Sequence, residues 1–243
     1  MERRRVLVIR PQPGADQTAA RLIPLGFDPV VLPLTQTVAL EQSANDFRPD
    51  LIVATSPQAF RHLSRPLAST FSLVRVLVTG AATAQAARDA GFADVQASGG
   101  DAARLIEMLT TTVRDNSSVL YLAGRVRRPD LDHALEKGGF EHRIFEVYDT
   151  LPVSYSTDNL TDIASRGRVG AVLLTSVESV GQLARHAGTP IIGQMIENAH
   201  FICLSSRVAE AAGKHFQNTC RVPVEPTEAA LLELLQATFN RAN

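Results

Sequence analysis

Short apolar runs alternate along this chain with segments in which apolar residues recur at the period of a helix. From residue 5 onward the order is RVLVIRP, GADQTAARLIPLG, PVVLPL, DLIVATS, PQAFRHLS, VRVLVTG and AATAQAARDAG. The short runs are apolar throughout, which is typical of strands buried on both faces of a parallel sheet. Strands and helices that alternate in this way predict parallel α/β sheets covered by helices.

Glycines mark the ends of several predicted helices. Gly26, Gly91 and Gly139 each follow a helical segment directly. A helix commonly ends on a residue in the left-handed conformation, which glycine adopts without steric cost. We therefore expect a positive φ at these three positions.

The sequence also repeats itself once. VLVIRPQPGADQTAARLIPLGFDPVVLPLTQT, from Val6, aligns without a gap on VLYLAGRVRRPDLDHALEKGGFEHRIFEVYDT, from Val119. Further along, DLIVATSPQAFRHL aligns on GAVLLTSVESVGQL, VRVLVTGAATAQAA on AHFICLSSRVAEAA, and GDAARLIEML on PTEAALLELL. The period is too long for a solenoid, so two related half-chains predict two similar domains.

Each repeat is interrupted just after its second predicted strand. Polar stretches lie at these breaks, at residues 36–45 and 150–158, the second of which contains Pro152, and such stretches suit connections between domains. We expect the chain to cross twice between two lobes. The two crossings would form a hinge beside a cleft.

Composition and charge narrow the function. The 243 residues are 45% hydrophobic and 20% charged, and a formal net charge of -1 gives no support to binding nucleic acid or a membrane surface. The apolar stretch at residues 6–9 is too short for a signal peptide, and no later segment is long enough to span a bilayer. With only Cys203 and Cys220, too few for a disulfide framework, the sequence predicts a cytoplasmic protein.

Ligands of open parallel α/β sheets collect at the carboxyl ends of the strands, where loops lead into helices. The loops at these positions are rich in Ser, Thr, Gly and Arg, and the free N–H groups of the helix starts favour carboxylates or phosphates. An anionic ligand is therefore expected. The loops concerned are residues 10–14, 55–57, 79–83, 123–129, 175–177 and 204–207.

Several residues in these loops also have structural interpretations. Ser56, which precedes Pro57, and Ser176 are typical of helix caps, and Thr83 is typical of a packed first helical turn. The functional and structural interpretations both remain open for these hydroxyl groups.

The same holds for the charged and aromatic candidates. Arg10 follows a buried strand, where a guanidinium needs an anion or a carbonyl as partner. The cluster of Arg125, Arg127 and Arg128 is either an anion clasp or a solvated surface cluster. Tyr148, at the end of a strand that enters a crossing, is either a functional residue or an edge-strand aromatic.

Common cofactor and hydrolase chemistries lack their motifs. The six histidines have no metal-ligand spacing, and neither a dinucleotide glycine fingerprint, nor a Walker lysine loop, nor a GxSxG elbow is present. We therefore expect neither a metal nor a cofactor. Neutral donors and arginines suit the binding of an anionic substrate and the stabilisation of charge.

Taken in order, these motifs resemble the uroporphyrinogen-III synthases. The likeness is carried by VLVIRP, LIVATSPQAF, VLLTSVESV, VTGAATAQAA, VLYLAGRVRRPDLDHALEKGGF with EVYDT, and EPTEAALLELL, over nearly the whole chain. The resemblance implies two flavodoxin-like parallel-sheet α/β lobes joined by a two-stranded linker, with a cleft between them. It implies a discontinuous domain of residues 1–37 and 152–243, with a second domain inserted at residues 38–151.

The resemblance also implies a reaction. The substrate would be hydroxymethylbilane, a linear tetrapyrrole made polyanionic by its acetate and propionate groups. Loss of its hydroxyl, a spiro intermediate and inversion of ring D would give uroporphyrinogen III, whereas closure without the enzyme gives the type I isomer. We expect a cofactor-free monomer, with at most a transient contact with the preceding pathway enzyme.

The resemblance assigns roles to individual residues. Tyr148 matches the tyrosine proposed to assist departure of the hydroxyl. Ser56, Gly80, Thr83 and Ser176 match loop positions that would bind substrate carboxylates, largely through backbone N–H groups. From their own positions in the sequence we also predict substrate binding by Arg10, Gly124, Arg125, Ser205 and Ser206. The second repeat has Ser205 and Val208 where the first has Gly80 and Thr83. The threonine role is therefore absent there, or Ser205 or Ser206 takes it.

Two other interpretations remain. A two-lobed binding protein or sensor for a small anion would share the lobes, the hinge and the donors at helix starts. A nucleotide-dependent α/β enzyme would also share the fold class, but its phosphate loop is missing from the sequence.

Overall fold

A computed structural model describes residues 4–42, 47–100, 102–112 and 117–240 of the chain. Residues 43–45 of the crossing predicted at residues 36–45 lie outside the described residues. The chain divides into two compact units. Unit 1 comprises Met1–Gln36 with Leu151–Asn243, and unit 2 comprises Thr37–Thr150.

Strands and helices alternate along both units. The strands are β1 (Arg4–Val8), β2 (Phe27–Val31), β3 (Thr35–Ala39), β4 (Leu51–Ala54), β5 (Arg75–Val78), β6 (Val95–Ala97), β7 (Ser118–Gly124), β8 (Glu141–Pro152), β9 (Ala171–Leu174), β10 (His200–Cys203) and β11 (Cys220–Arg221). The helices are α1 (Gly14–Leu22), α2 (Gln58–Arg61), α3 (Arg65–Thr70), α4 (Ala81–Asp89), α5 (Ala102–Thr112), α6 (Asp130–Lys137), α7 (Thr157–Ser165), α8 (Val177–Ala187), α9 (Pro190–Ile196), α10 (Ser206–Gly213) and α11 (Glu228–Asn240).

Unit 1 is built on a parallel sheet. Within the described residues it has five strands in the order β11-β10-β9-β1-β2. Leu7 and Ile9 pack into the apolar cluster on one face, whereas Val6 and Val8 pack into a separate cluster on the other. Because successive side chains of a strand point to opposite faces, an uninterrupted apolar run is what a strand covered on both sides requires.

Unit 2 follows the same plan with a longer sheet. In the described part of the chain its strand order is β3-β8-β7-β4-β5-β6, and the strands from β8 to β6 are parallel. Ile52 and Val53, neighbours in β4, again belong to apolar clusters on opposite faces. The predicted fold class, parallel-sheet α/β in two units, is confirmed.

The predicted helix ends are also confirmed. Gly26, Gly91 and Gly139 have φ angles of 86°, 99° and 69°. Gly26 and Gly139 occupy equivalent positions in the repeat, so α1 and α6 are both followed by a glycine in the left-handed conformation. Among the described helices, none combines the length and the apolar character that crossing a membrane requires.

The second crossing differs from the prediction at Tyr148. Strand β8 continues from Glu141 to Pro152, so Tyr148 lies inside the strand and not at its end. It is not an edge-strand residue either, because β8 lies between β7 and β3. The N–H of Leu40 donates to the carbonyl of Val147 (3.0 Å), so the β3 segment supplies the partner that keeps β8 extended.

Candidate active site

The side chain of Tyr148 reaches across one strand of the unit 2 sheet. Its backbone pairs with Gly124 on β7, and β4 lies on the other side of β7. The Tyr148 hydroxyl is nevertheless hydrogen-bonded to the side chain of Ser56, which follows β4. The structure therefore brings together Ser56, Gly124 and Tyr148, three of the residues that the sequence predicts.

Glycine at position 124 is what makes room for this crossing. A Cβ atom on Gly124 would lie 2.6 Å from Cζ of Tyr148 and 2.9 Å from its hydroxyl oxygen. These separations are far below van der Waals contact, so the phenol ring lies against the bare backbone of β7. Gly124 is itself buried, and its visible role is to accommodate Tyr148.

The position of Tyr148 also controls its protonation. The side chain is only 8% exposed, and burial raises the pKa of Tyr148 above its ordinary value, although the hydrogen bond with Ser56 opposes that change. Burial acts this way because the charged phenolate loses more solvation than the neutral phenol. At neutral pH, Tyr148 therefore carries its proton and can donate it.

His62 was missed by the sequence analysis. Its ring stacks on the ring of Tyr148, with centroids 5.8 Å apart and planes inclined by 25°, and its Nε2 lies 2.8 Å from Oγ1 of Thr37. Burial, followed by the charge of Arg61, lowers the pKa of His62. The spacing of the histidines in the sequence bears only on metal binding, and the one available signal for His62 is that it follows the helix that begins near Ser56.

The loop after β4 departs from the expected capping geometry. Oγ of Ser56 accepts a hydrogen bond from the N–H of Gln58 (3.2 Å), but Pro57 and not Ser56 occupies the cap position of the short helix α2. Ser56 thus makes the turn contact that the capping interpretation predicts, one residue before the assigned cap. Its hydroxyl serves both the turn and Tyr148.

Gly80 and Thr83 lie at the start of α4. Gly80 is the N-cap, in an extended conformation, and a Cβ atom there would meet nothing within 4 Å. Thr83 is 3% exposed, and Val208, its counterpart in the repeat, is 2% exposed in the first turn of α10. The burial of both residues favours the packing interpretation of Thr83.

The serines of unit 1 differ from one another. Oγ of Ser176 accepts a hydrogen bond from the N–H of Ser179 (3.1 Å), and the Ser179 hydroxyl oxygen accepts one from the N–H of Ser176 (3.3 Å). This capping box confirms the structural interpretation of Ser176. Ser205, by contrast, is the N-cap of α10 without a side-chain capping bond, and Ser206 is exposed.

Arg10 has a protein partner. Its Nη1 lies 3.3 Å from Oγ1 of Thr18 and 3.5 Å from Oε1 of Glu228, and Glu228 also binds Arg21 at 2.6 Å. The stem of Arg10 passes so close to Gly14 that a Cβ atom there would lie 2.7 Å from its Nε. Arg10 therefore ties the end of β1 to the starts of α1 and α11, which favours the structural interpretation.

The arginines after β7 form an ion-pair network. Arg127 is 20% exposed and binds Asp132 (3.0 Å) and Glu146 (2.8 Å), whose pKa is lowered chiefly by this hydrogen bond with Arg127. Arg125 binds Glu146 at 3.3 Å and Asp149 at 3.2 Å while remaining 55% exposed. The cluster is thus ordered by carboxylates, and Arg125 is more accessible than Arg127.

No cluster of three or more His, Cys, Asp or Glu side chains in the described part of the chain is placed to hold a metal ion. Together, the two parallel sheets and the donor-rich ends of their strands define a two-unit α/β protein.

The family of the chain follows from its sequence. The model of the uroporphyrinogen-III synthase HemD family matches residues 16–233. The chain therefore belongs to the uroporphyrinogen-III synthase family, whose members are lyases of tetrapyrrole biosynthesis. The resemblance drawn from the ordered motifs is confirmed.

Solved structures share the fold. The uroporphyrinogen-III synthetase of Helicobacter pylori is 16% identical, with a TM-score of 0.70, over 98% of this chain and 100% of that one. A mutant uroporphyrinogen III synthase of Thermus thermophilus is 16% identical, with a TM-score of 0.54, over 99% of this chain and 100% of that one. No curated protein sequence matches the chain significantly. At these identities, the likeness to solved structures shows the fold.

Proposed function

We propose that this enzyme converts hydroxymethylbilane into uroporphyrinogen III, with loss of water, inversion of ring D and closure of the macrocycle. The family match across residues 16–233 is the observation that carries the reaction. The hydrogen bond between Ser56 and Tyr148 supports the assignment of Tyr148 as the proton donor of this reaction.

Tyr148 donates a proton to the departing hydroxyl in this proposal. The C–O bond breaks, the hydroxyl leaves as water, and the remaining azafulvenium cation is delocalised over the pyrrole. Because the pyrrole stabilises this cation itself, a weak acid is sufficient. The ring carbon that forms the last bond releases one proton, which restores the phenol, so the cycle is balanced in protons.

The raised pKa of Tyr148 fits this role. A buried phenolate is costly, so the phenol stays protonated between turnovers and recovers its proton quickly after donating it. Ser56 fixes the direction of the hydroxyl. Positioning of this kind matters because a small displacement of a reacting group strongly lowers its rate.

Carboxylates of the substrate are bound by helix starts and by one arginine. The first N–H groups of a helix have no partner within it, and those of α4, α8 and α10 follow Gly80, Ser176 and Ser205. Ser206 adds an exposed hydroxyl, and Arg125 adds an accessible positive charge. Arg10, Thr83 and Gly124 have structural roles in this proposal.

The setting is part of the same proposal. The enzyme would act as a monomer in the cytoplasm, where the free thiols of Cys203 and Cys220 suit a reducing environment. Hydroxymethylbilane closes on its own to the type I isomer, so a transient contact with the enzyme that supplies it would limit this loss.

Isomer analysis tests the reaction directly. Hydroxymethylbilane is incubated with the purified protein, the products are oxidised, and the isomers are separated and compared with a protein-free control. The type III isomer should predominate with the protein, and the type I isomer without it. Type I alone in both samples would falsify the proposal, and binding of the substrate without turnover would favour an anion-binding protein.

A further inference from the structure

His62 and Gly124 both lie against the phenol of Tyr148. The imidazole and phenol rings overlap at a centroid distance of 5.8 Å and an angle of 25°. The backbone of Gly124 is so near that a Cβ atom there would lie 2.6 Å from Cζ of the phenol. The ring of Tyr148 is therefore confined by an aromatic face as well as by the strand that it crosses.

The His62 ring is fixed in turn. Its Nε2 is 2.8 Å from Oγ1 of Thr37, at the point in β3 where unit 2 begins. Since a ring with one nitrogen hydrogen-bonded cannot rotate freely about its Cβ–Cγ bond, Thr37 sets the plane that His62 presents to Tyr148. The neutral state of the imidazole keeps a positive charge away from the phenol.

Gln42 joins the same two segments through their backbones. Its Nε2 donates to the carbonyl of His62 (2.6 Å) and to the carbonyl of Val147 (3.3 Å), the residue before Tyr148. Its Oε1 accepts from the N–H of Ser64 at 2.8 Å. With both ends of the amide engaged, Gln42 holds the end of α2 beside β8.

We propose that His62 is a positioning residue for the ring-closing reaction: held by Thr37, it fixes the plane of the Tyr148 phenol so that the hydroxyl stays at Ser56. The inference rests on the proposed function. His62 acts through Tyr148 and does not itself touch the substrate. A phenol that is free to tilt would still be buried, but its proton would be misdirected.

Steady-state kinetics separate this role from substrate binding. We expect His62→Leu to lower kcat about tenfold and to leave KM within about twofold, because only the direction of the donor changes. Thr37→Val should lower kcat about threefold, whereas Thr37→Ser, which keeps the hydroxyl, should retain the wild-type rate. A raised KM with unchanged kcat would show that His62 binds substrate and would overturn the proposal.

A double-mutant cycle tests whether Thr37 acts through His62. His62→Phe keeps an aromatic face and its volume but loses the hydrogen bond, so its kcat should match that of Thr37→Val. Adding Thr37→Val to His62→Phe should cause no further loss, because residues that act in one chain are not additive. Independent, additive losses would contradict the inferred chain. If His62→Leu does not fold, His62→Phe replaces it in the kinetic test.

Tyrosine ionisation gives a readout that does not depend on activity. The ultraviolet titration of each protein, minus that of its Tyr148→Phe counterpart, isolates the ionisation of Tyr148. His62→Leu should raise the ionisation midpoint, because the phenol stays buried and loses the hydrogen bond with Ser56 that lowers its pKa, and Thr37→Ser should not. If the ionisation midpoint of Tyr148 shifts in His62→Leu but the wild-type protein makes no type III isomer, the proposed function is wrong and the positioning of Tyr148 by His62 stands. If His62→Leu keeps full activity and an unchanged midpoint, the positioning role alone is wrong.

Discussion

The hydroxyl of Tyr148 meets the side chain of Ser56 across an intervening strand. The contact exists because position 124, on that strand, carries no side chain. The phenol hydroxyl is thereby placed at the carboxyl end of the sheet while its ring remains buried.

Removal of the Tyr148 hydroxyl should disable the chemistry and spare the fold. We expect Tyr148→Phe to lower kcat about a hundredfold, which is typical for the loss of a proton donor. The steady-state rate at which the variant forms the type III isomer measures this kcat. The matched control is Tyr155→Phe, since the Tyr155 hydroxyl donates to the carbonyl of Pro33 (2.8 Å) in unit 1. Equal rates for the two variants would reduce Tyr148 to a structural aromatic.

A methyl group at position 124 should expel the phenol. Gly124→Ala places Cβ inside the ring of Tyr148, so we expect a loss of about 1–3 kcal/mol in the free energy of unfolding, as in overpacked cores. The kcat of Gly124→Ala should fall as well, because the phenol is displaced. Urea denaturation and isomer assays check both effects. Gly181→Ala, in α8 with no atom within 4 Å of the added carbon, is the control and should not be destabilised.

Glu228 should matter for stability rather than for catalysis. Glu228→Gln removes the carboxylate shared by Arg10 and Arg21, and these groups are partly exposed, so a loss of about 1 kcal/mol is expected. Thermal or urea unfolding measures the loss. Arg10→Ala should leave KM nearly unchanged if Arg10 is structural. An approximately tenfold rise in KM would instead place Arg10 in the substrate site.

The two serines at helix starts of unit 1 should respond differently. Ser176→Ala breaks the capping box with Ser179 and should cost about 1 kcal/mol of unfolding free energy. Ser205→Ala breaks no side-chain capping bond, so its unfolding should be nearly unaffected and any effect should appear in KM. Paired denaturation curves and kinetics decide the matter. A large loss of stability for Ser205→Ala would contradict this contrast.

Alkaline pH should weaken the folded protein through its buried tyrosines. Burial raises the pKa of Tyr148, and also those of Tyr121 and Tyr155, so the unfolded chain loses these protons first. The contribution of these tyrosines to the free energy of unfolding should therefore be constant below the ordinary tyrosine pKa of about 10 and fall as pH rises through the raised values. In Tyr148→Phe the decline should be shallower. A pH series of urea denaturation curves measures the slope.

The sequence predicted the sheets because their strands are apolar throughout. It did not predict the full length of β8, because that strand depends on β3, whose sequence TQTVA has no apolar run. Burial of Thr83 was equally hard to foresee, since a threonine in a first turn is compatible with packing and with binding. The Val208 counterpart was the better guide, because a valine there can only pack.

The candidate site was predicted in its parts but not in its connections. Ser56 follows from the rule that strand ends gather at one edge of a sheet, whereas Tyr148 was assigned through the resemblance to the family. That Gly124 lies under the ring depends on the order of three strands, which a single sequence does not reveal. His62 was missed for a related reason, since its contact joins α2 to β8, two elements far apart along the chain.

The space over Gly124 also distinguishes the two halves of the duplicated chain. At the repeat offset of 113 (139 − 26), Gly124 corresponds to Pro11 and Tyr148 to Thr35. The ring of Pro11 leaves no bare backbone for an aromatic side chain to pack against, and Thr35 has no phenol to pack there. The two halves thus share a scaffold, whereas the proposed proton donor occurs in the second half only. A chain assembled from two copies of the first half would therefore lack that donor.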